Sequence, residues 1–168
     1  IFNARNDVIL FIDRNGFLAR LVVASDDIVT LGRPGFFLND TNPSFIYSPT
    51  RKVAIIDSGG GLFLLDASHT IRTITGGVRD VAFNLEGDKL LIAKEHSLDL
   101  LWITANDYQP FQKQWTIETL IETKSPILEA AWFHKDSAHV VFRTAEGIFF
   151  AEIDGRGGKN IHLLLSDQ

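Results

Sequence analysis

Ala131-Trp132-Phe133-His134-Lys135-Asp136-Ser137-Ala138-His139-Val140-Val141-Phe142, followed by Glu146-Gly147-Ile148 and then Glu152-Ile153-Asp154-Gly155, is the stretch on which the fold turns. An aromatic residue closes a short apolar run, a polar turn follows, and Val140 opens a second apolar run. Gly147 marks a tight turn, and Ile148-Phe149-Phe150-Ala151-Glu152-Ile153 is a third run. Runs this short, rich in β-branched and aromatic residues and bounded by turn residues, read as strands of an antiparallel meander.

The same landmarks occur in the same order three more times. The aromatic anchors are Ile1-Phe2-Asn3, Ile46-Tyr47-Ser48 and Ala82-Phe83-Asn84; second strands begin at Val8, Val53 and Leu90, against Val140 in the last copy. Turn residues Gly16, Gly61 and Ser97 stand where Gly147 does, and each precedes a third apolar strand. A more polar fourth strand closes each copy, near 27–31, 70–75, 116–122 and 159–165. Anchors at positions 1, 46, 82 and 132 bracket the roughly 40–45 residues of a propeller blade. A lone four-stranded meander cannot cover both of its faces, whereas blades packed face to face cover each other, and strands apolar on both sides follow. The sequence therefore predicts an all-β chain, a β-propeller or part of one across 1–168, in four-stranded antiparallel units of about 1–35, 36–76, 77–123 and 124–168. Hairpin turns are predicted at Asn15-Gly16, Gly60-Gly61, Glu95 to Ser97 and Glu146-Gly147, and Trp132 and Phe133 as core residues at the inner end of the fourth unit.

The first unit is short. Ile1-Phe2-Asn3 aligns with the end of the innermost strand of the other units, so the first unit reads as truncated. An unpaired apolar strand edge recruits another strand. The expectation is a piece of a longer propeller, or a chain completed by a second copy or another segment.

The fourth unit resembles the WD-repeat-like blade of TolB-type propellers, whose pattern runs alanine-tryptophan-serine-proline-aspartate-glycine, an apolar strand, a turn, and a third strand ending in aspartate-glycine. Lys135 stands in place of the proline and Ser137 in place of the glycine, and no Trp-Asp dipeptide occurs. Similar blades occur in bacterial envelope proteins that carry PEGA modules. The resemblance implies a propeller fold and an extracytoplasmic setting.

Composition excludes several classes. With 45% hydrophobic and 22% charged residues the chain is ordinary globular material. Val8-Ile9-Leu10-Phe11-Ile12 is among its longest apolar runs, far short of the roughly 20 residues of a membrane-spanning helix. The net charge is −5 and lysines and arginines are scattered with no basic block, so no track for nucleic-acid phosphates is expected. There are no cysteines, hence neither disulfides nor thiol chemistry.

No catalytic set, metal site or cofactor motif emerges. Asp26-Asp27 reads as a solvated turn. Asp13-Arg14-Asn15-Gly16 starts like a calcium loop, but the remaining ligand spacing does not follow, and Asn-Gly between apolar strands signals a hairpin. Ser58-Gly59-Gly60-Gly61 leads into a strand rather than a helix, so it reads as a hairpin and not a phosphate cradle. His69, His96, His134, His139 and His162 are spread over different units without zinc-site spacing. Asp80 and Glu129 are the acids placed on innermost strands.

Two loops break the repeat while carrying large apolar side chains. One spans 32–40 and holds Phe36 and Phe37; the other spans 106–115 and holds Tyr108, Pro110, Phe111 and Trp115. The second lies on the rim that carries the turns between first and second strands. Such rings either contact a partner or fold back as lids on the core. The first reading is a non-enzymatic protein-interaction or ligand-docking scaffold with those six residues as its contacts. The alternatives are the non-catalytic propeller of a larger prolyl-oligopeptidase-like hydrolase, and a propeller lyase or glycosidase.

Overall fold

A computed structural model describes residues 4–5, 8–32, 42–133, 137–156, 158 and 160–166. Among the described residues sixteen strands form four sheets, each a four-stranded antiparallel meander in chain order. Sheet 1 contains β1 (Ala4–Arg5), β2 (Val8–Ile12), β3 (Leu18–Val22) and β4 (Asp27–Thr30). Sheet 2 contains β5 (Ser44–Tyr47), β6 (Val53–Ile56), β7 (Leu62–Leu65) and β8 (Ile71–Thr75). Sheet 3 contains β9 (Val78–Phe83), β10 (Lys89–Lys94), β11 (Ser97–Trp102) and β12 (Thr116–Glu122). Sheet 4 contains β13 (Glu129–Trp132), β14 (His139–Thr144), β15 (Gly147–Glu152) and β16 (Ile161–Ser166). This is the blade architecture of a β-propeller. No helix among the described residues is long and apolar enough to cross a membrane.

The backbone divides into two compact units, Ile1–Phe45 with Arg51–Gly76, and Ile46–Thr50 with Gly77–Gln168. In the first, the hairpins β2–β3 and β6–β7 close by one device. Asp13 accepts the amides of Asn15 and Phe17, and Asp57 accepts those of Gly59 and Gly61, so a single carboxylate holds each turn. Gly16 and Gly60 supply the positive φ that both turns require, at 77° and 78°. The calcium-like and phosphate-like spellings are hairpin turns here, with Asp13 Oδ1 and the Gly59 and Gly61 amides engaged within them. Every position of β6 and β7 is buried, as their two-sided apolar sequence demands.

In the second unit, sheets 3 and 4 pack face to face. Leu91, Ala93, Leu98, Leu100 and Trp102 of sheet 3 meet Val140, Phe142 and Ala151 of sheet 4 in one cluster. Trp132 packs against that cluster and its indole N–H donates to the carbonyl of Ala82 at 2.8 Å, tying β13 to β9. Phe133 does not share this place. Successive residues of an extended chain point to opposite faces, and Phe133 is 44% exposed, its ring edge-on to Phe150 at 5.2 Å.

The ladder between third and fourth strands slips at the same point in three sheets. One residue goes unpaired opposite Leu62/Phe63, Leu98/Asp99 and Ile148/Phe149: Ile74, Leu120 and Leu164 respectively. These slips, with the shared Asp13 and Asp57 turns, fix which residues of the sheets correspond. Ile12, Ile56, Ala93 and Arg143 are equivalent, so Ile9 corresponds to Val53, Leu90 and Val140. The second strand of unit 1 begins at Val8, as the sequence predicts, but its match to Val53, Leu90 and Val140 is Ile9, one residue on.

Candidate functional site

The segment joining β11 to β12 runs over residues 103–115 and is the long insertion of the second unit. Its start is fixed where the amides of Ile103 and Thr104 donate to the carbonyl of Asp88, at 2.9 and 3.3 Å. Asp88 belongs to the turn between β9 and β10, so the insertion shares that rim, as the sequence predicts. Its middle is a small bridge: Asn106 and Gln112 exchange backbone bonds of 2.8 and 3.1 Å, and the Asn106 amide donates to the carbonyl of Pro110 at 2.8 Å. Its end returns through the amide of Trp115 to the carbonyl of Trp102 at 2.6 Å. The carboxylate of Glu118 binds both ends together, accepting from the Trp102 indole at 2.7 Å and from Gln112 Nε2 at 3.2 Å.

On this base the tip presents Tyr108, 82% exposed, and Phe111, 68% exposed. Pro110, half-buried, sits between them with its carbonyl engaged by Asn106. Trp115 is half-buried at the base, in a left-handed backbone conformation with φ of 66°. It therefore stands apart from the exposed pair. Phe36 and Phe37 lie outside the described residues.

A second loop braces the tip. Arg156, between β15 and β16, donates from Nη1 to Gln109 Oε1 at 2.6 Å, while Asp154 holds the same guanidinium through Nε at 2.9 Å to both carboxylate oxygens and through Nη2. The Arg156 hydrogen bond pulls the Asp154 carboxyl below its ordinary value, with a backbone bond from Arg156 adding to it. Sequence reasoning missed this brace. Asp154-Gly155 was legible only as a strand end, and nothing in the sequence joins Arg156 to Gln109.

The remaining candidates make contacts within the fold. Ser25 donates to Asp27 at 2.6 Å within an exposed turn whose Asp26 has a φ of 55°. Asp80 accepts the amide of Val81 at 2.8 Å, and Glu129 pairs with Arg143 at 3.2 Å. His69 contacts Arg20 Nη1 at 3.0 Å, and His139 stacks on Phe150 with centroids 4.8 Å apart; His134 lies outside the described residues. Among the described residues no three histidine or acidic side chains gather as a metal-binding set.

No protein-family profile matches the chain, and no curated protein does. Solved structures do. The N-terminal domain of Nup159 is similar with a TM-score of 0.53 and 14% identity, over 97% of this chain and 47% of that one. YCF48 bound to a peptide gives 0.55 and 14%, over 95% and 50%. A Bacteroides thetaiotaomicron structural-genomics protein of unknown function gives 0.51 and 10%, over 95% and 41%. The neighbours are propeller proteins, so the fold is a β-propeller's; the chain spans half or less of the length of each.

Proposed function

We propose that this chain is a non-enzymatic β-propeller scaffold that docks a protein partner on the rim carrying the 103–115 insertion. One observation carries the reading: two large rings, Tyr108 and Phe111, are held out in solvent by a loop that hydrogen bonds tie down at its start, middle and end. Exposed aromatics on a preorganised base cost little entropy to immobilise and form the centres of binding interfaces. A loop that merely connected strands would not need both the Asn106 bridge and the Arg156 brace. That YCF48 is bound to a peptide in its structure supports the same use of the fold.

The TolB-type likeness of 131–155 extends the proposal to an extracytoplasmic, bacterial-envelope setting, which cell fractionation of the tagged protein tests. For the binding role, the test is the double substitution Tyr108→Ser with Phe111→Ser. Capture of the wild-type protein's partner from its own cells is lost, and the melting temperature is unchanged. Undiminished capture refutes the rim assignment. A large fall in melting temperature with capture intact means that the rings serve as lids.

A further inference from the structure

β16 is the outermost strand of sheet 4, paired among the described residues on one side only, with β15. All six of its residues are exposed, and its sequence, Ile161-His162-Leu163-Leu164-Leu165-Ser166, contains no Asp, Glu, Lys or Arg. The other outermost strands carry the charges that guard sheet edges: Asp27 in β4, Arg72 in β8, Glu118 and Glu122 in β12. The exposure of Ile161 and Leu163, 41% and 55%, does not come from a face left open. Their ladder partners are Ala151 and Phe149, on the side of sheet 4 that packs against sheet 3. Side chains this exposed on a covered side overhang the edge of the blade.

The backbone says what fits there. The Glu152 amide donates to the Asn160 carbonyl at 3.2 Å, so Asn160 turns its carbonyl toward β15. Inward and outward groups alternate along an antiparallel strand. His162, opposite Phe150, therefore also faces β15, while the N–H and C=O of Ile161 and Leu163 point away from the sheet. The ladder slip comes only at Leu164, beyond this stretch. A row of alternating donors and acceptors is satisfied by another extended chain. This row is symmetric about His162. The same strand laid antiparallel across it sets Ile161 opposite Leu163 and Leu163 opposite Ile161, and every outward group finds a partner. The side chains agree: Ile161 and Leu163 meet as apolar neighbours on one side, His162 meets its own copy on the other, and no acid or base is set against its like. We infer that β16 of one copy pairs antiparallel with β16 of a second copy, in register about His162. This inference does not depend on the rim reading, because none of its residues lies in the 103–115 insertion.

The chain has no cysteine, so single introduced thiols report the register. His162→Cys faces itself in a non-hydrogen-bonded pair, where Cα atoms lie about 4.5 Å apart, within disulfide reach. Under mild oxidation it forms a covalent dimer at twice the 18.8 kDa of the chain on a non-reducing gel, whereas Leu85→Cys, at a 57% exposed position in the turn between β9 and β10, stays monomeric. Size exclusion with light scattering is the second arm: the wild type runs as a dimer and Leu163→Pro as a monomer. The N–H that proline removes is one that points outward, so the ladder to β15 and the β circular-dichroism signal are kept. Should proline lower that signal, Leu163→Lys replaces it, charging the edge without touching the backbone. A wild type that stays monomeric overturns the inference, whether β16 is then free or taken by a strand of another protein. A dimer that survives the Leu163 substitution overturns it by placing the contact elsewhere, and a dimer in which His162→Cys links no faster than Leu85→Cys overturns the register.

Discussion

Trp132 joins two blades by two separable interactions, and a pair of substitutions measures each. Trp132→Phe keeps an aromatic ring against the Phe142 and Ala151 side of the core but removes the N–H that reaches the Ala82 carbonyl at 2.8 Å. A net hydrogen bond contributes about 1 kcal/mol, so that is the cost assigned to this variant. Trp132→Ala removes the ring as well. Full burial would make it about 3–5 kcal/mol, and because the residue is only half-buried the assigned cost falls to about 2–4 kcal/mol. Urea unfolding followed by far-ultraviolet circular dichroism gives both numbers as shifts in midpoint at constant slope. Two results would refute the reasoning. If the phenylalanine variant matches wild type, the bond to Ala82 contributes nothing; if alanine costs no more than phenylalanine, the ring does not wedge the sheets.

Gly147 has a φ of 143°, and a Cβ there would lie 2.1 Å from the Leu165 carbonyl oxygen, so Gly147→Ala should cost about 2–4 kcal/mol and speed hydrogen exchange in β15 and β16. Asp99 is buried with Lys94 at 2.8 Å and the Thr119 hydroxyl at 3.0 Å; Asp99→Ala removes both of these bonds to a buried carboxylate and should cost about 2 kcal/mol, read from the denaturation midpoint. At Asp66, burial raises the carboxyl pKa, but the Ser68 hydroxyl, the Thr70 and Ser68 amides and the Arg72 charge outweigh it, and the net pKa lies below its ordinary value. A lowered folded-state pKa stabilises above the unfolded value and is lost as pH falls through the folded one. Asp66→Asn should therefore flatten the acid limb of the melting-temperature profile below about pH 4 and leave the neutral side offset by a constant; an unchanged acid limb refutes this.

What was legible in the sequence was what repeats locally. The turns at Gly16, Gly60, Ser97 and Gly147 and the apolar strands beside them follow from short-range rules, and the structure places them as predicted. The exposed Tyr108 and Phe111 were legible as interruptions of that repeat. Illegible features depend on distant partners or on a one-residue phase. Phe133 reads as core because it neighbours Trp132, yet a period of two turns it away. Trp115 and Phe111 spell the same chemistry, and only the backbone bond from Trp115 to Trp102 puts one at the base and leaves the other at the tip. Arg156 meets Gln109 from 47 residues away, a distance no local pattern bridges.

The recurrent ladder slip also bears on how the repeat tolerates length change. Period-two side-chain direction makes an unbulged strand intolerant of a lost or gained residue, since everything beyond the change turns over. Ile74, Leu120 and Leu164 are already unpaired at the slip, so each is a residue whose removal returns the ladder to regular pairing. Deleting Leu164 should leave Leu163 opposite Phe149 and Leu165 opposite Ile148, with only the bend lost. Deleting His162 instead either turns Ile161 to the other face or sets a leucine opposite Phe150. Single-residue deletions along a fourth strand should therefore fall into two classes, a forgiven one at the slip and a costly one elsewhere. That gives these blades a fixed point at which their lengths can drift without disturbing the cores they share.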